Sequence, residues 1–340
     1  MNKKKVKRRV FIATAAACTL ILAAVTVFIV GNDYRYAQTK IQIPSADGYL
    51  EGVYAKPAGA PAKGLVIMVH GDGPINATHN DFYAPWFEAA ADAGFATVSW
   101  SKPGVAGSDG NWLNQSMDDR AQEVHDVLDW AHTQSEIPTE HIALWGASQA
   151  GWVMPQVVAQ RTDIDGMIAV GTAVNWLDQG RYNLHAELDH AGATQIERDA
   201  AIAHSDRVRD LLKSSTGYDE YTAIEMDESH MSAERWEFAR KNMMSDATED
   251  LHAAAERDIP VFLMAAEHDR NVDIAETERV YRDAFGEKLT VTYFDAVHSM
   301  AKPRVEESAF IGAVTAIFWP RALFGEHVLD SYREFLEATN

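Results

Sequence analysis

Short apolar runs recur along the middle of the chain, and between them lie segments whose apolar positions return every three or four residues. The first continuous run, Gly64-Leu65-Val66-Ile67-Met68-Val69, has the pattern of a strand buried on both faces. Similar runs at Phe95 to Trp100, Ile142 to Trp145, Met167 to Val170, Val261 to Ala265 and Leu289 to Phe294 predict five more. Before them, Lys40 to Ile43 and Tyr49 to Lys56 flank the turn-rich Pro44-Ser45-Ala46-Asp47-Gly48 and predict a hairpin. The clearest helical segment is Asp118 to Thr133, where Ala121, Val124, Val127, Leu128 and Ala131 share one face. Ser116, with Asp119 three residues on, resembles a capping box at its start. Strands alternating with helices predict an α/β fold whose mostly parallel central sheet is flanked by crossover helices.

Two stretches depart from that rhythm. Between Val170 and Val261 no buried strand is visible, and polar helical patterns run over 181–213 and 232–255. An insertion over 175–246, forming a helical cap on the sheet, accounts for this interval better than a long loop would. At the other end, Val10 to Val30 contains no charged residue. As a helix these positions span roughly 31 Å, about the hydrocarbon thickness of a bilayer. Lys3, Lys4, Lys5, Lys7, Arg8 and Arg9 precede them. The pattern predicts a basic cytoplasmic N-terminus over 1–9, a single-pass transmembrane signal anchor over 10–30, and a body over 38–340 on the extracellular side of the cell membrane. Two alternatives stand beside the anchor. One is a cleavable signal peptide and a secreted body, against which the length of the run and the poor cleavage site Phe28-Ile29-Val30-Gly31 both speak. The other is lipid modification of Cys18, although the apolar run continues well past it.

Composition narrows the functional classes. With 340 residues, 47% of them hydrophobic and 24% charged, the chain is folded rather than disordered, and its length permits a single α/β domain. Six of the thirty basic residues lie in the N-terminal block, which leaves twenty-four against fifty acidic ones and a body charge of −26. Such a body repels phosphate backbones, so nucleic acid is not an expected partner. One cysteine excludes an internal disulfide and a Cys-based zinc site. Neither a Gly-rich phosphate loop nor a His-Glu-x-x-His cluster is present, so no cofactor or metal is expected. Composition sets no oligomeric state.

The sharpest chemical signal is Ile142-Ala143-Leu144-Trp145-Gly146-Ala147-Ser148-Gln149-Ala150-Gly151-Trp152: a strand, a tight small-residue turn, then a helix. A serine on such a turn is pushed out above the sheet. Its hydroxyl needs a base, and the base needs an acid to fix its tautomer. Asp269, after the strand Val261 to Ala265, and His298, after Leu289 to Phe294, follow Ser148 in the required order. Glu267, Asp273 and Asp295 are the fallback acids, and His268 reads as an exposed loop residue. The oxyanion calls for two backbone amides. Gln149, after the serine, supplies one, and Asp72 in His70-Gly71-Asp72-Gly73-Pro74 supplies the other, with Gly73 as second choice and His70 as structural support.

These segments resemble the α/β-hydrolase superfamily, in the bacterial group of serine aminopeptidase-like or dienelactone hydrolase-like hydrolases and esterases. The resemblance is carried by His70 to Pro74, Lys102-Pro103-Gly104-Val105-Ala106-Gly107-Ser108, the elbow through Gly151-Trp152 to Pro155, and Asp269-Arg270-Asn271-Val272-Asp273 with His298. It covers about residues 40 to 317 and implies that Ser148, Asp269 and His298 form a catalytic triad. Ala150 departs from the usual glycine, and Pro103 stands where the group usually has arginine. Pro155 is expected to kink the elbow helix.

Trp86, Trp100, Trp130 and Trp145 fall on predicted core elements. Trp112, Trp152, Trp176 and Trp236 lie near the site or in the cap and are candidates to line an acyl pocket. The reading is a serine hydrolase cleaving small-molecule carboxylic esters. The alternatives are a serine aminopeptidase, which needs a cap carboxylate such as Glu187 or Glu197 for the substrate ammonium, and a non-catalytic surface binding protein on the same scaffold.

Overall fold

A computed structural model describes residues 3–224 and 230–339; for residues 3–13, 15–17 and 224 it describes the backbone alone. Eight strands, β1 (Tyr36–Ser45), β2 (Gly48–Pro57), β3 (Gly64–Val69), β4 (Phe95–Trp100), β5 (Ile142–Ala147), β6 (Gly166–Val170), β7 (Val261–Ala266) and β8 (Leu289–Phe294), form one sheet. Its order is β1-β2-β4-β3-β5-β6-β7-β8. The β1–β2 hairpin pairs from Tyr36 opposite Pro57 to Ser45 opposite Gly48, and β2 runs antiparallel to β4. All other neighbours are parallel.

The continuous apolar runs are explained by what covers the sheet. Successive side chains of a strand point to opposite faces. Thus Leu65, Ile67 and Val69 of β3 enter one core while Val66 and Met68 enter another. The first core lies under α3 (Met117–His132), α4 (Met154–Gln160), α9 (Thr248–Ala255) and α10 (Ile274–Phe285). The second lies under α2 (Ala84–Asp92) and α13 (Val328–Ala338). Ala121, Val124, Val127, Leu128 and Ala131 of α3 are all buried, and Ser116 and Asp119 close the capping box at its N-terminus. Pro155 does not kink a helix. The elbow is a short 3₁₀ turn, Ser148–Trp152, and Pro155 falls in the first turn of α4, where its missing N–H has no helical partner to lose.

The interval between β6 and α9 holds α5 (Trp176–His190), α6 (Gln195–Lys213), α7 (Tyr218–Ile224) and α8 (Ala233–Asn242). It leaves and rejoins the body at one point. Asn175 and Asp246 form an isolated antiparallel bridge, and the Asn175 amide donates to the Asp246 carboxylate at 2.9 Å. Within these helices Trp236 is fully buried, stacked on Tyr221 with ring centroids 4.0 Å apart, and its indole N–H donates to the Thr216 carbonyl.

At the N-terminus α1 (Lys3–Gly31) is one continuous helix. Among the described residues no helix is long and apolar enough to cross a membrane. The side chains of the expected basic segment 1–9, and those of 10–13 and 15–17 in the expected transmembrane anchor, lie outside the described residues. After β8 the chain forms α11 (Pro303–Glu307) and α12 (Ala309–Phe318) before α13. The last turn of α1 rests on α12. The Asn32 side-chain amide donates to the carbonyls of both Phe28 and Ile317 at 2.9 Å, and the Arg321 guanidinium donates to the Gly31 carbonyl at 2.6 Å.

Candidate active site

The site is assembled at the carboxyl ends of the parallel strands, where loops from separate strands converge. Ser148 follows β5 directly and has φ +52°, a left-handed conformation that a non-glycine residue adopts only when its surroundings impose it. Those surroundings are small residues. A Cβ at Gly146 would lie 2.7 Å from the Ala150 Cβ, so alanine fits at position 150 because position 146 is glycine. A Cβ at Gly151 would lie 2.5 Å from the Ala173 carbonyl oxygen on the neighbouring loop. Gly71, after β3, passes against the serine, and a Cβ there would stand 3.3 Å from that of Ser148.

Asp269 follows β7 and His298 follows β8. The His298 Nδ1 donates to the Asp269 Oδ2 at 2.7 Å, a contact that does not use its Nε2. The other carboxylate oxygen of Asp269 accepts the backbone N–H groups of Asn271 and Val272 at 2.8 and 2.9 Å. Asp269 is only 5% exposed, and the Tyr182 hydroxyl of α5 donates to its carbonyl. Gly171 leaves room for the pair, since a Cβ there would be 3.3 Å from the His298 Nδ1. The fallback acids lie elsewhere: Asp273 caps α10, Asp295 bonds the exposed His268, and Glu267 is exposed beside them.

A cavity of about 250 Å³ carries Ser148, His298, Gly71 and Asp72 on its wall, and Ile75, Phe82, Tyr83, Trp86, Trp145 and Val170 give it an apolar lining. The four tryptophans expected to line a pocket do not border it. Trp152 is buried with its indole N–H on the Val174 carbonyl and stacks on Trp176, Trp236 is buried in the cap, and Trp112 lies between the cations of Lys102 and Arg235. Trp152, Trp176 and Trp112 serve packing between cap and body, and Trp236 packs within the cap. The cavity uses Trp86 and Trp145, which the strand and helix pattern assigns to the core, and adds Phe82 and Tyr83 just before α2. Sequence reasoning missed all four as pocket residues because their apolar pattern is the same for a core wall and a cavity wall.

Beneath the loop after β3 runs a buried polar network. Gln149 is 2% exposed; its amide oxygen accepts from Arg120 at 2.6 Å and its amide nitrogen donates to the Asp72 carboxylate at 3.1 Å. Arg120 also donates to the His70 carbonyl and the Lys102 ammonium to the Gly71 carbonyl, at 2.7 and 2.5 Å. Burial drives the Lys102 pKa well below the usual lysine range. Burial also pushes His70 down to about 3, against the opposing effect of its contact with the Trp100 carbonyl, so its ring is neutral and its Nε2–H donates there. Arg120 and Lys102 thus hold two successive carbonyls, those of His70 and Gly71, directly before the residue expected to supply one oxyanion amide.

Comparison with known proteins agrees with this architecture. The family model for serine aminopeptidase, S33, matches residues 60–302. An esterase of Pyrococcus furiosus superposes with a TM-score of 0.52 at 14% identity, covering 84% of this chain and 92% of its own. An esterase of Pyrobaculum calidifontis gives 0.53 at 14% identity, with 99% and 93% covered. An acylaminoacyl peptidase of Pyrococcus horikoshii gives 0.52 at 15% identity, with 91% of this chain and 42% of its own covered. At these identities the structures establish a shared fold. With the family match spanning most of its length, the chain belongs to the serine aminopeptidase S33 family and is a serine hydrolase of the α/β-hydrolase fold.

Proposed function

We propose that this protein hydrolyses carboxylic acyl esters through Ser148, Asp269 and His298. The reading rests on one observation: the His298–Asp269 hydrogen bond of 2.7 Å stands beside a strained Ser148 at the wall of an apolar cavity. Ser148 Oγ attacks the ester carbonyl while His298 Nε2 takes its proton, and Asp269 holds the imidazole in the required tautomer and stabilises its charge. The backbone amides of Asp72 and Gln149 receive the oxyanion. His298 then protonates the departing alkoxide, and water releases the acyl group from Ser148 by the same steps in reverse. The acyl group occupies the cavity between Phe82, Trp86 and Trp145.

A peptidase needs a carboxylate for the substrate ammonium. Glu187 is paired with Arg270 at 2.9 Å, and Glu197 closes the capping box of α6, so both carboxylates named for that role are engaged elsewhere. This favours esters. A panel of p-nitrophenyl acyl esters and aminoacyl-nitroanilides tests the choice: ester cleavage is expected, and cleavage of the anilides alone would reverse it. Reaction of wild type with a fluorophosphonate probe, lost in Ser148→Ala, separates either enzyme from a binding protein.

The anchor belongs to the same proposal. The charge-free run 10–30 behind six basic residues supports a membrane-tethered enzyme with its body outside the cell, and the interval 175–246 acts as a cap over the site. Sequencing the mature N-terminus tests the tether; a start near residue 31 would show a secreted protein.

A further inference from the structure

The segment 308–320, Ser-Ala-Phe-Ile-Gly-Ala-Val-Thr-Ala-Ile-Phe-Trp-Pro, contains no charged residue in a chain whose body is strongly acidic. Over this segment α12 is a helix of ten residues with an apolar surface turned to solvent: Phe310 is 77% exposed, Ile317 52% and Trp319 42%, with Ile311 and Val314 beside them. A soluble surface rarely keeps such a contiguous patch unless something covers it. The patch continues onto α1, where Leu22, Val25, Phe28 and Ile29 are likewise exposed.

The join between the two helices is built. Asn32 bridges the carbonyls of Phe28 and Ile317, and Arg321 holds the Gly31 and Asp33 carbonyls while lying over the Tyr34 ring. A Cβ at Gly31 would collide with the Phe318 carbonyl, so the close approach requires glycine. The two apolar surfaces are therefore held side by side.

We propose that α12 is a second membrane contact, a helix that dips into the outer leaflet beside α1 without crossing the bilayer. The inference rests on the anchor reading of α1 proposed above. Ten helical residues extend about 15 Å, half of a hydrocarbon core, which suits an interfacial element and not a span. Charge selects the lipid: the acidic body is repelled by anionic headgroups, and 308–320 is the stretch beside α1 with no negative charge to desolvate. Trp319 and Tyr34 stand at the end of the apolar surface, where aromatic rings favour the water–lipid boundary. A protein partner would have to cover α12 together with the flank of α1, which the anchor reading assigns to the bilayer.

The test uses the full-length protein reconstituted in phosphatidylcholine vesicles. One sample carries an environment-sensitive fluorophore on the native Cys18 in α1; a second carries it in Cys18→Ser/Val314→Cys. A control in Cys18→Ser/Ile196→Cys places the label on the exposed cap. The label at 314 is expected to be blue-shifted, quenched several-fold by bilayer-embedded nitroxide lipid and little affected by aqueous iodide, while the label at 196 shows the opposite. A label at 314 open to iodide, with Cys18 quenched from the lipid, would overturn this proposal and leave the anchor standing. Both labels open to iodide would overturn both. A label at 314 protected from both quenchers, in a protein that runs as a dimer, would assign the surface to a second copy and overturn the lipid contact.

Discussion

Arg235, on the cap helix α8, and Asp72, on the loop after β3, form a bidentate ion pair, with Nη1 3.0 Å from Oδ1 and Nη2 2.6 Å from Oδ2. Burial opposes ionisation of Asp72, yet the guanidinium outweighs it and holds the carboxyl below the usual carboxylate range. The same carboxylate accepts from Gln149, so a cap residue is tied through one side chain to both residues proposed to bind the oxyanion. The planar guanidinium suits this geometry and an ammonium does not. Arg235→Ala is expected to lower kcat by about 10- to 100-fold with KM changed little, because the loop is displaced from the reacting carbonyl rather than removed from the substrate. Arg235→Lys should recover only part of the loss. Steady-state kinetics on a p-nitrophenyl ester check this, and an unchanged kcat in Arg235→Ala would count against a positioning role.

Ser148 and His298 act as one unit in the proposed mechanism. Ser148→Ala and His298→Ala should each reduce kcat by on the order of 10⁴-fold or more, and the double variant should lose little beyond either single one. Additive losses in single-turnover measurements would separate the two residues into independent functions.

Asp269→Asn tests the orientation of the imidazole. The Asn oxygen can still accept the Asn271 and Val272 amides, so the loop keeps its shape, but the amide NH₂ then faces Nδ1 and favours the wrong tautomer. Activity should fall by on the order of 10⁴-fold with an unchanged melting temperature. A drop in thermal stability as large as that of an unfolded loop would instead mark Asp269 as structural.

His70 couples stability to pH. Its folded pKa of about 3 lies below the ordinary histidine value, so the unfolded chain binds the extra proton first as the solution is acidified. The stability that neutral His70 contributes is complete above about pH 6.5 and declines as pH falls toward 3, by at most about 1.4 kcal/mol per pH unit. His70→Gln keeps a donor for the Trp100 carbonyl and removes the titration. Urea midpoints between pH 7 and 4 should therefore fall less steeply in the variant than in wild type; parallel curves would exclude His70 as a source of acid sensitivity.

The cavity wall sets acyl size in this proposal. Phe82→Ala enlarges the cavity and should shift the best p-nitrophenyl ester toward longer acyl chains, whereas Trp112→Ala, outside that wall, should leave the chain-length preference where it is. A shift caused by Trp112→Ala alone would move the acyl site to the cap side.

Hydrophobic periodicity by itself determined the strands and the position of the serine turn, because a strand buried on both faces must be continuously apolar and a tight turn beside a neighbouring strand must be small. The order of Ser148, Asp269 and His298 was legible for the same reason: each follows a strand of that pattern. The helix α12 carries no polar face to give it a period, and nothing in its local sequence says that it lies against the end of α1. The tertiary structure also decided which aromatic residues border the cavity and that Arg235 meets Asp72 across 163 positions. Those relationships depend on how loops and cap pack above the sheet, and packing between distant segments leaves no periodic mark on either one.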